Sequence, residues 1–435
     1  MDTKRINVFW FRRDLRVDDN CGLYHALKEK NPVLAIFVFD TDILDKLNNK
    51  SDARVQFIHQ RTKEINEKLR KHGSYLKAFH SKPIDAFKAL INDYSIDKVF
   101  INHDYEPSAK MRDKEIKEFL SEQSIDFQTF KDHVIFESLE IVKENDEPYK
   151  VYTPYKNKWL ETLRENDYQA YPSEDLSGNF FLSDGDDFPT LEEIGFKPSD
   201  IKIPNAEFDK DLITEYDKKR EYPAERGTSR LGIHLRHGTV SIRKAVKNAL
   251  HINKVWLQEL IWREFYMMIL DNFPKVVYME FNPKYKNFPW KYDEKNFEKW
   301  CSGKTGYPIV DAGMRQLNET GYMHNRVRMI TASFLTKHLL IDWRWGEAYF
   351  SEKLLDYELA SNNGGWQWAA GCGTDAQPYF RIFNPTEQTK KFDPRQKYIK
   401  KWVPELNSFD YPNPIIDHKF ARNRAIETFK KALQQ

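Results

Sequence analysis

The 435 residues are 31% charged and 40% hydrophobic, with a formal net charge of +2, and the mean hydropathy is −0.73. This balance excludes both a disordered chain and an integral membrane bundle, and the length is enough for a substantial core and two domains. Cys21, Cys301 and Cys372 are odd in number and form no CxxC pair, which argues against a disulfide framework or a metal site and for small core residues.

No apolar run approaches the roughly 20 residues of a membrane span. The opening MDTKRINVFWF lacks the apolar stretch and cleavage site of a signal peptide, so a cytoplasmic protein is expected. Charge is unevenly distributed, residues 1–200 summing to −8 and residues 201–435 to +10. A basic half beside stacking aromatics is the electrostatic footprint of nucleic-acid binding, although a solvated basic face needs no partner.

In chain order, short β-branched or aromatic runs at 6–11, 33–39 and 98–102 alternate with helix-like stretches at 20–30, 53–71, 83–93 and 107–122. The alternation predicts a parallel α/β sheet, a Rossmann-like layer sandwich over residues 1–135 without a GxGxxG loop. Residues 141–205 are rich in Asp, Glu, Ser, Gly and Pro, so 136–205 reads as a long linker with little regular structure. From 206 to 435 the strand signals fade, and amphipathic patterns such as 253–272 and 323–340 predict a nearly all-helical domain. Ser302-Gly303-Lys304-Thr305 ends like a phosphate loop, but Glu298 stands where the loop's first glycine is required, so an ordinary turn is expected.

Within the helical half, Trp256, Glu259, Trp262 and Arg263 share one side of a helix at 100° per residue. Two indoles, a carboxylate and a guanidinium make poor core material and suggest a polar, aromatic-walled pocket. Met323, His324, Asn325 and Arg326 with Met329 form a second mixed face. The segment 361–385, SNNGGWQWAAGCGTDAQPYFRIFNP, combines small residues that admit flat ligands, amides that pair donors with acceptors, and oxidisable indoles. It suits a large planar redox cofactor. Trp366 and Trp368, two apart, point about 200° from each other on a helix, which suits contact with a cofactor on one side and a substrate on the other.

The motifs VFWFRRDLRVDDN (8–20), YKVYTPYKNKW (149–159), GTSRLG (227–232), WLQELIWREFY (256–266), GKTGYPIVDAGMRQL (303–317) and MHNRVRMITASFL (323–335) together resemble the photolyase/cryptochrome family over nearly the full chain. Class I cyclobutane pyrimidine dimer photolyases are the most similar members. The resemblance implies an antenna-type α/β domain, a connector, and a helical domain that binds FAD in a folded shape. It also implies light-driven DNA repair, in which photoexcited reduced FAD gives an electron to a flipped-out dimer, by a monomer with no obligate protein partner.

Residue by residue, the resemblance implies flavin phosphate and ribityl contacts from Tyr216, Thr228, Ser229, Arg230 and Leu231. Trp256, Glu259, Arg263 and Asn325 would line the flavin and lesion cavity. Arg328 with Asp356 would sit beside the isoalloxazine, with Glu358 near it, and Asn362 would face flavin N5. Glu259, Trp262, Asn325, Met329 and Trp368 would hold the dimer, and Arg220, Arg326 and Arg381 its phosphates. Trp366, Trp343 and Trp290 match an electron relay, and Glu259, Asn325 and Asn362 are the implied catalytic groups.

The alternatives are a cryptochrome-type blue-light photoreceptor without repair, whose plant-type members commonly have an acid at the place of Asn362; a (6-4) photolyase, which would have histidine in place of Asn325; and a flavin-binding regulator that holds DNA without repairing it. Three departures stand out. Gly232 replaces a frequent Ser, Glu358 stands where Asp is frequent near the flavin, and Ser108 and Ala109 replace the Asn-Glu pair with which folate-using relatives hold an antenna. A second chromophore is thus left open between folate, deazaflavin, flavin and none.

Overall fold

The computed structural model describes residues 5–433. Two compact units emerge: one comprises the described residues up to Glu137 with Leu163–Glu207 and Leu231–Asn248, and the other comprises Ser138–Thr162, Phe208–Arg230 and the described residues from Ala249 on.

The first unit is built on β1 (Ile6–Phe11), β2 (Val33–Asp40), β3 (Leu76–Ser81), β4 (Ile96–Asn102) and β5 (Asp126–Phe130). They form one parallel sheet in the order β3-β2-β1-β4-β5. The central strand β1, INVFWF, is buried at every position, as a parallel strand covered on both faces must be. Its side chains alternate: Phe9 and Phe11 enter the core on one face, and Val8 and Trp10 enter the core on the other. The edge strands β3 and β5 had no clear pattern in the sequence. At an edge, partly exposed positions accept Lys, His, Asp and Gln, and the apolar signal is diluted.

The expected linker at 136–205 is occupied differently. Tyr152–Thr162 is a helix and joins the helical unit, whereas the following segment packs onto the sheet unit through Phe180, Leu191, Ile194 and Phe196. The Phe181 N–H donates to the Val33 carbonyl at 2.8 Å. These apolar anchors are few and irregularly spaced among acidic, glycine and proline residues, so they leave no periodic signature. A helical domain contiguous from 206 is likewise interrupted, because Leu231–Asn248 packs with the sheet unit.

In the second unit, the helices Asn325–Ser333, Trp343–Lys353 and Leu359–Ala370 contribute to a core that includes Trp300, Trp343, Leu335 and Phe350, and Lys254–Asn272 packs against Leu359–Ala370. The helix expected over 323–340 begins at Asn325, where the His324 side chain caps it by accepting from the Arg326 N–H. It widens to a π turn at Phe334–Leu339 and stops at Leu340, whose φ is 56°. The Gly303 stretch is a turn in which Asp311 accepts from both the Thr305 N–H and its hydroxyl, as expected. Cys21 and Cys372 are buried and Cys301 is half-buried. No helix among the described residues is long and apolar enough to cross a membrane.

Candidate flavin and lesion cavity

Three helices of the second unit converge because small residues allow it. A Cβ on Gly364 would lie 2.2 Å from the Tyr266 ring, and one on Gly346 would lie 2.1 Å from Trp366 Cη2. Glycine therefore brings Leu359–Ala370 against both Lys254–Asn272 and Trp343–Lys353. Behind the same helix, Asn363 and Gln367 donate to the Val276 carbonyl, and Gln367 accepts from the Phe281 N–H. Two of the amides that the sequence offered for ligand pairing thus tie down backbone.

The opposite side of this helix faces a cavity of about 420 Å³, a volume in the usual range for ligand sites. Asn362, Trp366 and Trp368 line it together with Glu259, Trp262 and Arg263 from Lys254–Asn272. Asn325, Arg326, Arg328 and Met329 contribute from Asn325–Ser333, and Arg220, Asp356 and Glu358 complete the set of expected residues brought together. Trp366 is buried and Trp368 half-buried, so two side chains of opposed direction reach one hollow.

Charge around the cavity is arranged in pairs. Arg220 donates to Glu259, Arg263 to Glu358 at 3.2 Å, and Arg328 to both oxygens of Asp356 at 3.1 and 2.9 Å. Burial pushes the Glu259 carboxyl above its ordinary value, opposed by the Arg220 guanidinium. Burial, with Arg328 and Arg326 adding to it, pushes His324 down to about 4, so its imidazole is neutral at physiological pH.

Several contributors carried no role in the sequence reading. Tyr152 stacks on Trp262 with ring centroids 3.6 Å apart and planes 10° apart. It is placed by the Tyr152–Thr162 helix, whose Trp159 donates to the buried Glu264 at 2.5 Å. Tyr266 also lines the cavity. Glu347 accepts from Asn362 Nδ2 at its carboxylate, 2.9 Å, and at its backbone carbonyl, 3.1 Å. Both amide hydrogens of Asn362 are thereby used, leaving Oδ1 as the atom it can offer to a ligand. The crowded aromatic motif at 149–159 was the available signal for Tyr152; Glu347 lies in no motif.

Other expected residues lie off the cavity wall. Trp256 is buried edge-on against Phe208, because it sits one helical turn before Glu259, where the wall begins. Tyr216 lies under the Arg220 guanidinium, 5.3 Å from it. Thr228 is hydrogen-bonded to the Tyr322 hydroxyl at 3.0 Å, and Arg230 lies 4.7 Å over the Tyr322 ring, which Arg328 approaches at 5.7 Å. This chain of contacts joins the Thr228 turn to the cavity wall. Ser229 is half-buried on that turn, whereas Leu231 is buried and belongs to the other unit. Arg381 is exposed. Trp343 and Trp290 lie in the same hydrophobic core as Trp366, each with a buried indole N–H that has no acceptor.

An α/β unit of this topology and a helical unit with a paired-charge, indole-walled cavity define a protein built to bind a flat ligand among its helices. Residues 7–174 match the family model for DNA photolyase, and residues 256–410 match the model for the FAD-binding domain of DNA photolyase. The chain belongs to the DNA photolyase family. It is 37% identical to the deoxyribodipyrimidine photo-lyase of Halobacterium salinarum over 98% of this chain and 99% of that one. It is likewise 37% identical to that of Escherichia coli, over 98% of each. Among solved structures it is similar to a class III photolyase from Agrobacterium tumefaciens (TM-score 0.89, 32% identity, 100% of this chain and 99% of that one). It is also similar to a photolyase from Sulfolobus tokodaii described with two FAD molecules (TM-score 0.85, 34% identity, 98% and 99%). A Synechocystis cryptochrome at 23% identity shares the fold, with a TM-score of 0.86.

Proposed function

We propose that this protein repairs cyclobutane pyrimidine dimers in DNA by light-driven electron transfer, in the cytoplasm and as a monomer. The observation that carries the reading is the convergence of Asn362, Trp366, Trp262 and Trp368 on one cavity. The residues fit FAD. Gly365 lines the hollow, and a Cβ added there would meet nothing within 4 Å, so a flat ring system has room. The Asn362 oxygen is an uncharged acceptor for an N–H, and the Arg263 and Arg328 pairs supply donors. Thr228, Ser229 and Arg230 suit the phosphates and ribityl chain.

When bound, reduced FAD supplies the light-driven electron that opens the cyclobutane ring. The chain's own residues do the remainder. Trp262, held flat by Tyr152, and Trp368 offer walls against which an extruded dinucleotide packs, and a dimer is cheap to extrude because it stacks poorly. Glu259, its carboxyl raised by burial, pairs with the pyrimidine edge, and Asn325 at the cavity wall adds an amide. Arg220 and Arg326, with the exposed Arg381, suit backbone phosphates. Asn362, oriented by Glu347, holds an acceptor in place without adding negative charge.

Trp366, Trp343 and Trp290 are read as the route by which electrons reach the cavity from the surface. The shared core of these three indoles supports this. We also read the α/β unit as the holder of a second chromophore. The Sulfolobus relative with two FAD molecules favours a flavin over a folate, for which Ser108 and Ala109 supply no carboxylate.

The test is an oligonucleotide with one thymine dimer, mixed with flavin-loaded, reduced protein and illuminated. Thymine absorbance is expected to recover only in the light. Absence of recovery at full flavin occupancy would favour a photoreceptor or a DNA-binding regulator instead.

A further inference from the structure

Arg220 and Arg326, both on the cavity wall, share a carboxylate that no motif singled out. Glu221 lies 3.3 Å from Arg220 Nε and is hydrogen-bonded to Arg326 Nη2. Arg220 is also held by Glu259, so two guanidinium groups and two carboxylates form a neutral array where a basic grip on DNA is expected.

Arg326 is poorly explained as a structural residue. It stands in the first turn of Asn325–Ser333, which has no acidic residue, and a cation there opposes the helix dipole. Its guanidinium is oriented by the Phe392 ring at 4.4 Å, and its Nε is buried with no hydrogen-bond partner. A planar guanidinium held in place by a ring suits a phosphate as well as a carboxylate, because both present paired oxygens to its fork.

We propose that Glu221 is a built-in stand-in for a DNA phosphate, occupying Arg220 and Arg326 until a lesion-bearing strand displaces it, and thereby setting the preference for damaged over undamaged DNA. The proposal rests on the repair reading. An undamaged strand that approaches must break the Glu221 contacts and place a phosphate beside a carboxylate, and it gains only the two arginines in return. A strand whose dimer enters the cavity also brings a pyrimidine edge to Glu259. That loosens the second hold on Arg220 and offsets the cost. Specificity of this kind comes from a repulsive group that only the correct ligand overcomes.

The experiment is a fluorescence-anisotropy titration of flavin-loaded protein with two labelled single strands of the same sequence, one carrying a thymine dimer. Glu221→Gln, which removes the charge at constant shape, is expected to tighten binding of the undamaged strand roughly fivefold. Binding of the dimer strand should change by less than about twofold, so discrimination falls, and the gain should shrink as salt is raised. Glu221→Asp, which keeps the charge, should retain discrimination. Equal tightening on both strands, no change on either, or weaker binding of either would overturn the proposal; the last would mean that Glu221 merely holds the arginines in position. Wild-type protein lacking any preference for the dimer strand would count against the repair reading itself. In that case the undamaged strand alone still decides whether Glu221 competes with phosphate.

Discussion

Both units bury charge, but to different ends. In the α/β unit, Arg16 and Arg243 each donate to Asp132 at 2.8 Å, and Arg243 donates to Asp19 at 2.8 Å; the Asp132 side chain is fully buried. Both guanidinium groups of this array end on protein carboxylates. In the helical unit, Arg220 with Glu259, Arg263 with Glu358 and Arg328 with Asp356 use the same residue types around an open cavity. Charge sealed on all sides holds a fold together, whereas charge paired on one side and open on the other is poised for a ligand.

The largest test of this contrast compares two Asp→Asn substitutions. Asp132→Asn leaves two buried guanidinium groups short of a counter-charge and should cost about 3–5 kcal/mol in urea unfolding. Asp356→Asn, at a pair with side chains only 25% and 20% exposed, should cost less, about 1–2 kcal/mol, but reduce the flavin retained on purification. Similar stability losses at both sites would erase the distinction.

Neighbouring glycines sharpen it within one helix. Gly364→Ala drives a methyl group into the Tyr266 ring and should destabilise by about 1–3 kcal/mol. Gly365→Ala meets nothing and should leave the flavin-free protein unchanged or more stable by up to about 1 kcal/mol, while narrowing the cavity and lowering flavin occupancy. Thermal unfolding read beside flavin absorbance separates the two effects.

The last test is a pH dependence. His324, held down to about 4 mainly by burial, stays neutral in the folded protein while the unfolded chain takes up a proton below its ordinary value of 6.5. The unfolded state therefore binds more protons in this window, and stability falls as pH drops from 6.5 toward 4, by at most about 1.4 kcal/mol per pH unit from this group. Urea midpoints across that range should show a shallower slope in His324→Gln; an unchanged slope would mean that the imidazole does not titrate this way.

Much of this architecture was readable from local pattern. The helices Pro83–Asp93 and Pro107–Glu122 and strand β1 have their expected limits, because proline marks a helix start and a buried strand is uniformly apolar. The edge strands escaped notice because half-exposed positions tolerate any residue. Thirteen expected site residues meet at the cavity, since their side chains cluster on helical faces or in a motif of unusual composition. Tyr152, Glu347 and Glu221 were not assigned, because each acts only through a partner on another element: Trp262, Asn362 and Arg326.

From residue order alone came the α/β and helical halves, the mixed faces of two helices, and the family that those motifs resemble, all of which depend on periodicity or on runs of adjacent residues. Only the tertiary structure decided that 136–205 is shared between two packed units, that Asn363 and Gln367 bind backbone, and that Glu221 pairs with two arginines of the cavity wall. Those outcomes depend on which surfaces meet. A contact between residues about a hundred positions apart leaves no trace in either one's neighbours.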